Sequence, residues 1–301
     1  MRTRGGLGST DEGERMRTRG GLASTDVVAR RMRRIGLAAA IAAALAATAP
    51  ALAAAADVSD LLPSVSPAGA NDFTCRPSSA HPEPVVLVHG TFEGAADNWA
   101  TVSPQLKAAG YCVFALEYGD RATGDIAVSA GQLSRFVDAV LAATDARKVS
   151  LVGHSQGGMM PRYYIKFLGG DKKVDDLVGL APSNHGTTNP GAFVTGATVC
   201  EACAQQMAGS PFLQQLNAGD ETPGGVSYTV VETRYDEVVV PYTSAFLAGG
   251  ANTANILLQD ACPNEVIDHH LIPYSALAIR WTLQALGRSG PADPADPPSC
   301  T

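Results

Sequence analysis

The stretch around Ser155 constrains the fold more than any other part of the sequence. Residues 149–152 are apolar or small and predict a short buried strand, and residues 159–168 predict a helix directly after it. Between them Gly153 and Gly157 flank the serine in the pattern G-x-S-x-G. A serine at such a strand-to-helix turn is pushed out of the backbone, and crowding admits only small neighbours. The pattern is short enough to recur by chance, so its weight comes from the strand and the helix beside it.

Strand-like and helix-like segments alternate along the rest of the chain. Short apolar runs predict strands at residues 85–88, 111–116, 149–152, 177–181, 226–232 and 256–259. Helical spacing of apolar residues predicts helices at residues 98–109, from about 125 onward, at 159–168 and at 273–286. This alternation indicates an α/β fold, a mostly parallel sheet with helices on both faces. Active sites of such sheets lie beyond the carboxyl ends of the strands.

The first residues of the chain are set apart by a duplication. Residues 1–15 and 16–30 are near-copies of each other, and two copies are too few for a repeat fold. We interpret residues 1–31 as an upstream duplicated segment that is not part of the mature protein, with Met32 as the true translation start.

Residues 32–56 are typical of a secretory signal peptide, since two arginines precede an apolar run and a small-x-small site at 51–53. A membrane anchor is the alternative, because residues 35–56 carry no charge and are about long enough to span a bilayer. The alanine-rich composition, Pro50 and the cleavage site favour the signal peptide. Residues 57–301 then form the mature domain, which we predict to be extracellular.

The cysteines support export, because all six follow the predicted cleavage site: Cys75, Cys112, Cys200, Cys203, Cys262 and Cys300. An even number in an exported chain predicts disulfides, although six cysteines allow fifteen pairings. No second Cys/His pair at zinc-ligand spacing accompanies Cys200-x-x-Cys203, so no metal site is expected. The formal net charge of −7 becomes more negative once the arginine-rich residues 1–56 are removed, which argues against a nucleic-acid partner.

A serine hydroxyl is a weak nucleophile at neutral pH and needs a histidine base and a carboxylate that orients it. In the chain order Ser, acid, His, the partners of Ser155 must follow late strands at the same sheet edge. Asp236 follows the predicted strand at 226–232, and His269 follows the one at 256–259. We predict Asp236 as the acid and His269 as the base. An ordinary turn aspartate is the alternative for Asp236.

Other acids and histidines fit these roles less well. Glu237 and His270 adjoin the predicted acid and base but are expected to point elsewhere. Asp175 and Asp176 precede a strand and so belong to the wrong edge of the sheet. His185 lies at the right edge but out of triad order, so we expect it to structure its loop.

An oxyanion hole needs one backbone N–H just after the nucleophile and one from the loop after the first core strand. These belong to Gln156 and to Thr91, whose hydroxyl is a candidate third donor, while His89 is expected to shape the turn. The Gly/Ala-rich residues 191–225 are too long for an ordinary connection. They are either a lid over the site or a surface excursion held by its own disulfide.

Two Pro-rich segments flank the core. Residues 57–84 predict a leader on the protein surface with Cys75 as its tether. The proline content of residues 289–301 excludes helix and sheet and predicts an extended tail held through Cys300.

Five motifs together resemble the secreted bacterial lipases of the α/β-hydrolase superfamily, the group similar to Candida antarctica lipase B. They are Val-His-Gly-Thr (88–91), Gly-His-Ser-Gln-Gly-Gly (153–158), Ala-Pro-Ser-Asn-His-Gly-Thr (181–187), Tyr-Asp-Glu-Val-Val-Val-Pro (235–241) and Val-Ile-Asp-His (266–269). The resemblance implies an α/β-hydrolase fold with the following site residues: Ser155 as nucleophile, Asp236 as acid, His269 as base, and Thr91 with Gln156 as oxyanion hole.

The resemblance also implies disulfides, Cys75 with Cys112 and Cys262 with Cys300, which leaves Cys200 with Cys203. The chain departs from the family pattern in the loop of Cys200 and Cys203 and at His270, where the family has small residues. Pocket shape and lid therefore do not transfer.

The function that the resemblance implies is that of a secreted triacylglycerol lipase. Such an enzyme needs no cofactor or metal, takes a lipid or other ester, contacts the lipid–water interface transiently and works as a monomer. A short-chain esterase or polyester depolymerase with the same triad is the alternative, and a non-catalytic secreted binding protein on a hydrolase scaffold is the second. Six apolar residues flank the predicted catalytic loops and are candidates for the acyl pocket: Phe92, Phe193, Phe246, Leu247, Leu271 and Ile272.

Overall fold

The computed structural model describes residues 53–55, 57–191, 194–195 and 198–300. The predicted duplicated segment, residues 1–31, lies outside the described residues, as does the predicted signal peptide at 32–56 apart from residues 53–55. Both therefore stay predictions.

A parallel sheet forms the centre of the fold. The strands of the described part of the chain are β1 (Val85–Val88), β2 (Val113–Leu116), β3 (Val149–His154), β4 (Val174–Leu180), β5 (Val194–Thr195), β6 (Thr198–Val199), β7 (Ser227–Glu232) and β8 (Thr253–Leu257). Six of them pair in the order β2-β1-β3-β4-β7-β8, with every pair parallel, and β5 with β6 forms a separate antiparallel hairpin. The predicted α/β class is confirmed.

Helices cover both faces of the sheet. They are α1 (Ala95–Asn98), α2 (Val102–Ala108), α3 (Ile126–Thr144), α4 (Gln156–Phe167), α5 (Glu201–Gln205), α6 (Pro211–Asn217), α7 (Leu258–Ala261) and α8 (Ala276–Leu286). Short 3-10 turns occur at Ser59–Leu61, Gly170–Lys172, Tyr242–Ala245 and Ile272–Tyr274, and an irregular turn at Gly119–Ala122. One apolar cluster packs α3 and α4 on the sheet, and a second packs α1, α2 and α8. Helix α3 begins where predicted, because the Asp125 carboxylate caps the N–H of Val128 at 2.8 Å.

Two predicted elements differ in kind or number from the structure, and the others begin and end within three residues of the prediction. The helix predicted at residues 98–109 is divided between two helices, α1 and α2. Pro104 has no N–H to donate to the carbonyl oxygen four residues earlier, so a single helix cannot continue through this point. The strand predicted at residues 256–259 is β8, which ends at Leu257, and Leu258 already begins α7. Leu258 and Gln259 are buried in the helix, as they would be in a strand. The sequence therefore did not indicate where the strand ends and the helix begins.

The prediction that residues 57–84 lie on the surface is wrong in part. Val58, Leu61 and Phe73 are buried in the main core. The Phe73 ring packs edge-on against Phe114 at 5.1 Å and Phe136 at 6.4 Å between ring centroids. The segment therefore seals one side of the core.

All six cysteines are paired as the resemblance implies: Cys75–Cys112, Cys200–Cys203 and Cys262–Cys300. Residues 289–300 contain neither helix nor strand, as the proline content predicts, and the last disulfide fastens them to the residue after α7.

A buried carboxyl lies at the opposite edge of the sheet from Ser155, near the start of β4. Asp176 is 5% exposed and accepts a hydrogen bond from the Ser150 hydroxyl at 3.1 Å. Burial, together with the neighbouring Asp175, raises the pKa of Asp176 to about 7. A raised carboxyl pKa means that the folded state holds this proton longer than the unfolded state, so stability falls as pH rises from about 4 to about 7.

We therefore expect Asp176→Asn to become more stable than the wild type as pH rises. The advantage should grow by about 2–4 kcal/mol between pH 4 and pH 8, measured by urea denaturation. The exposed Asp97→Asn is the control and should show no such growth. An Asp176→Asn advantage that is the same at both pH values would contradict the assignment.

Candidate active site

Ser155 lies at the sharp turn between β3 and α4. Its backbone has φ 54° and ψ −121°, a strained conformation for a residue with a side chain. A Cβ on Gly153 would lie 1.8 Å from the Gly157 carbonyl oxygen, and one on Gly157 would lie 2.0 Å from the Val88 carbonyl oxygen. The pattern G-x-S-x-G is therefore a packing requirement of this turn.

The predicted acid and base are in direct contact. His269 Nδ1 lies 2.7 Å from Asp236 Oδ2, and both side chains are buried. The other carboxylate oxygen, Oδ1, accepts the N–H groups of Val238 and Val239 at 2.8 and 2.7 Å. The carboxylate thus holds the proton of His269 on Nδ1 and leaves Nε2 as the basic nitrogen. Burial lowers the pKa of His269, which Asp236 offsets only in part, so the ring is neutral at pH 7.

Ser155 and His269 both line a cavity of about 30 Å³. Its lining is Gly90, Thr91, Phe92, Glu93, His154, Ser155, Val238, His269 and His270. Phe92 is the one described candidate for the acyl pocket that lines it, and Phe193 lies outside the described residues. The remaining candidates lie in or against the core or on the surface: Phe246, Leu247, Leu271 and Ile272. These residues were chosen because they flank catalytic loops in the sequence, which does not indicate the direction of their side chains.

The two predicted oxyanion residues are linked through their side chains. Thr91 Oγ1 donates to Gln156 Oε1 at 2.7 Å, so its proton is engaged in this structure rather than directed at the cavity. Gln156 is the first residue of α4, where backbone N–H groups have no acceptor within the helix. Its N–H is therefore available to an oxyanion formed on the carbon that Ser155 attacks.

Gln206, which sequence reasoning missed, supports this pair. Its buried Nε2 donates to Thr91 Oγ1 and Gln156 Oε1, both at 3.0 Å, and its Oε1 accepts from the Ser183 hydroxyl at 2.8 Å. With Gln206 supplying a donor to Gln156, the Thr91 hydroxyl can turn its own proton toward an oxyanion. A glutamine in a Gly/Ala-rich loop carries no motif that would have indicated this role.

We expect Gln206→Leu to lower kcat by about tenfold or more with little change in KM, because the oxyanion residues lose their common support. Gln205→Leu is the matched control, since the Gln205 side chain bonds Ile126 N and Asp125 Oδ2, away from the site. Steady-state kinetics on both variants checks this, and equal losses of kcat would contradict it.

The Cys200–Cys203 disulfide closes the first turn of α5, the short helix that ends directly before Gln206. Cys203 is buried and packs in a small cluster with Val238 and Phe92, which both line the cavity. This part of residues 191–225 therefore packs behind residues that line the site. That the segment works as a lid stays a prediction.

A partly buried ion pair lies beside the triad, in the lining of the same cavity. His154 Nδ1 lies 2.8 Å from Glu93 Oε2, and His154 Nε2 lies 2.9 Å from the backbone carbonyl oxygen of His269. Burial opposes the charge on both side chains, but their mutual attraction prevails: it raises the pKa of His154 and lowers that of Glu93 to about 2. When it is protonated, His154 donates from both ring nitrogens, to Glu93 and to the His269 carbonyl oxygen, and so ties the His269 loop to the turn that holds the serine.

The rival residues have other partners. His185 bonds the Ser244 carbonyl oxygen and Glu221 at 3.0 Å each, consistent with structuring its loop. The His270 side chain is 66% exposed and lies 3.8 Å from Glu237. Glu237 accepts the backbone N–H of His269 at 3.3 Å, so it steadies the histidine loop and does not replace Asp236.

Residues 82–272 match the family described as Lipase (class 2). Curated relatives include triacylglycerol lipases of Pseudarthrobacter phenanthrenivorans and Burkholderia plantarii, each 40% identical over 86 residues. Those matches cover 27% of this chain and 27% and 24% of the relatives. Lipase B of Pseudozyma antarctica is 30% identical over 210 residues, which cover 65% of this chain and 60% of that protein. The matched region thus spans less than two thirds of each of these relatives.

Solved structures with the same fold include two lipases. Lipase B of Aspergillus fumigatus superimposes with a TM-score of 0.66 at 23% identity, over 78% of this chain and 57% of that one. The mature Bacillus licheniformis lipase BlEst2 superimposes with a TM-score of 0.57 at 17% identity, over 70% of this chain and 94% of that one. At such identities the likeness establishes the fold, which is the predicted α/β-hydrolase fold.

Proposed function

The chain belongs to the class 2 lipase family, and from that premise we propose that it is a secreted serine ester hydrolase that acts on triacylglycerols or similar carboxylic esters. The observation that carries this proposal is that His269, which contacts Asp236, lines the same cavity as Ser155.

In the first half of the reaction Ser155 Oγ attacks the ester carbonyl carbon while His269 Nε2 takes the hydroxyl proton. Asp236 stabilises the imidazolium through its Nδ1–H. The N–H groups of Thr91 and Gln156 hold the oxyanion, joined by the Thr91 hydroxyl once it turns from Gln156. The tetrahedral species then collapses, and the alcohol leaves with the proton from His269.

In the second half a water molecule attacks the acyl-serine, and His269 takes its proton. The same oxyanion donors hold the second tetrahedral species. Collapse returns the proton to Ser155 and releases the carboxylic acid. Apart from the ester and the attacking water, every step uses side chains and backbone groups of this chain.

The extracellular assignment rests on the predicted signal peptide and on the disulfides. Three disulfides within the described residues suit an oxidising compartment. Exposed apolar side chains beside the catalytic loops, Tyr235, Val266, Leu271 and Tyr274, support transient contact of a monomer with a lipid–water interface.

Hydrolysis of nitrophenyl esters of increasing acyl length tests the proposal. We expect the wild-type rate to extend to long acyl chains and to emulsified triacylglycerol. A wild-type rate equal to that of Ser155→Ala would contradict the enzyme proposal and favour a non-catalytic binding protein on a hydrolase scaffold.

A short-chain esterase is the second candidate, favoured by the small volume of the cavity beside Ser155, about 30 Å³. Rates confined to short, soluble esters would decide for it. Activity on a polyester film, measured in parallel, would indicate a depolymerase with the same triad.

A further inference from the structure

Glu232 is a buried carboxyl that the mechanism above does not use. It is the last residue of β7 and is 0% exposed. One carboxyl oxygen, Oε1, accepts the backbone N–H of Thr233 at 2.7 Å. The other, Oε2, is buried and has no hydrogen-bond donor among the residues that the structure describes. A buried carboxylate with one free oxygen is costly, so its ionisation state needs an explanation.

The neighbour of Glu232 is the catalytic-acid candidate. Asp236 belongs to the turn that directly follows Glu232, since its N–H bonds the Thr233 carbonyl oxygen at 3.2 Å, and its carboxyl group interacts with that of Glu232. Two carboxylates can share such a contact only if one of them carries a proton. Asp236 already accepts hydrogen bonds from His269, Val238 and Val239, which stabilise its charge. Within the described part of the chain Glu232 accepts one, from Thr233, so the shared proton belongs on Glu232.

The electrostatics agree with this placement. Burial, and then the charge of Asp236, raise the pKa of Glu232 well above its ordinary value. The charge of Asp236 contributes to the pKa shift of Glu232. The charges of Asp236, His154 and His270 contribute to the pKa shift of His269.

We propose that Glu232 is a positioning residue of the triad: a neutral carboxylic acid whose Oε2–H donates to the Asp236 carboxylate and so fixes the group that orients His269. The inference rests on the proposed hydrolase function for its kinetic effect but not for the protonation state. Because Glu232 does not line the cavity, its loss changes kcat and leaves KM unchanged.

Two substitutions of similar size separate the hydrogen bond from the packing. Glu232→Gln keeps an N–H that can donate to Asp236, and we expect kcat within about threefold of the wild type. Glu232→Met fills the space without a donor, and we expect kcat to fall about tenfold. In an Asp236→Asn background the Glu232→Met change should cost no further activity. An equal cost in both backgrounds, or a Gln variant as slow as the Met variant, would overturn the proposal.

Infrared spectroscopy of the purified full chain tests the protonation state without any substrate. At pH 8 the wild type should show a protonated-carboxyl C=O stretch that Glu232→Gln lacks. Asp176→Asn is the control and should keep the band, because the pKa of Asp176 is about 7 and that carboxyl is mostly ionised at pH 8. A wild type and a Gln variant with identical spectra would overturn the proposal even if the enzyme is active. The band in an inactive protein would instead contradict only the hydrolase function.

Discussion

Replacement of Ser155 by alanine is expected to lower kcat on nitrophenyl esters by about 10⁴-fold or more, with the melting temperature within a few degrees of the wild type. Alanine removes the attacking oxygen and adds no strain beyond that of the serine, because both residues carry a Cβ at the same positive φ. Kinetics and thermal unfolding on one preparation check both parts.

Ser129→Ala is the matched control for this change. Ser129 is also buried, but its hydroxyl donates to the Asp125 carbonyl oxygen at the start of α3, and its loss should leave kcat unchanged. A Ser155→Ala variant that retains more than about a hundredth of the wild-type kcat would exclude the serine as the nucleophile.

Replacement of Gly157 by alanine is expected to prevent folding. The new Cβ would meet the Val88 and His89 carbonyl oxygens at 2.0 and 2.5 Å, and neither backbone atom can move without displacing β1, which is an inner strand of the sheet. The cost should consume most of the stability of a domain, about 5–15 kcal/mol. Soluble yield and the far-ultraviolet circular dichroism spectrum measure the outcome.

Gly131→Ala provides the comparison at a glycine with open space. A Cβ at Gly131 meets nothing within 4 Å, and the residue lies inside α3. Alanine there should stabilise the protein by about 0.5–1 kcal/mol. A soluble, active Gly157→Ala variant would contradict the prediction that a Cβ at this position cannot be accommodated.

The sequence predicts the central features of the fold because their causes are local. The strand before Ser155, the glycines beside it and the helix after it are consecutive in the sequence, from Val149 to Phe167. Asp236 and His269 follow from the order of late strands in a parallel sheet, where the carboxyl ends share one edge. The structure brings Asp236 and His269 into contact at the edge where the chain order places them.

The supporting residues could not be predicted because their partners are distant in sequence. Gln206 lies 115 positions from Thr91, and Glu93 lies 61 positions from His154. A glutamine or a glutamate has no periodicity that reveals such contacts. The leader residue Phe73 was likewise assigned to the surface, since only the folded chain brings it to Phe114 and Phe136. The composition of the leader indicated its irregular backbone but gave no sign that Phe73 packs in the core.

The account depends most on Ser155 as the residue that becomes acylated. A nitrophenyl alkylphosphonate tests this directly, because the serine oxygen displaces nitrophenolate and forms a stable phosphonyl ester that resembles the tetrahedral species. We predict about one nitrophenolate released per chain, complete loss of activity, and the added mass on the peptide that contains Ser155. Ser155→Ala should release none. Label on another residue, or inactivation with no label on Ser155, would contradict the account.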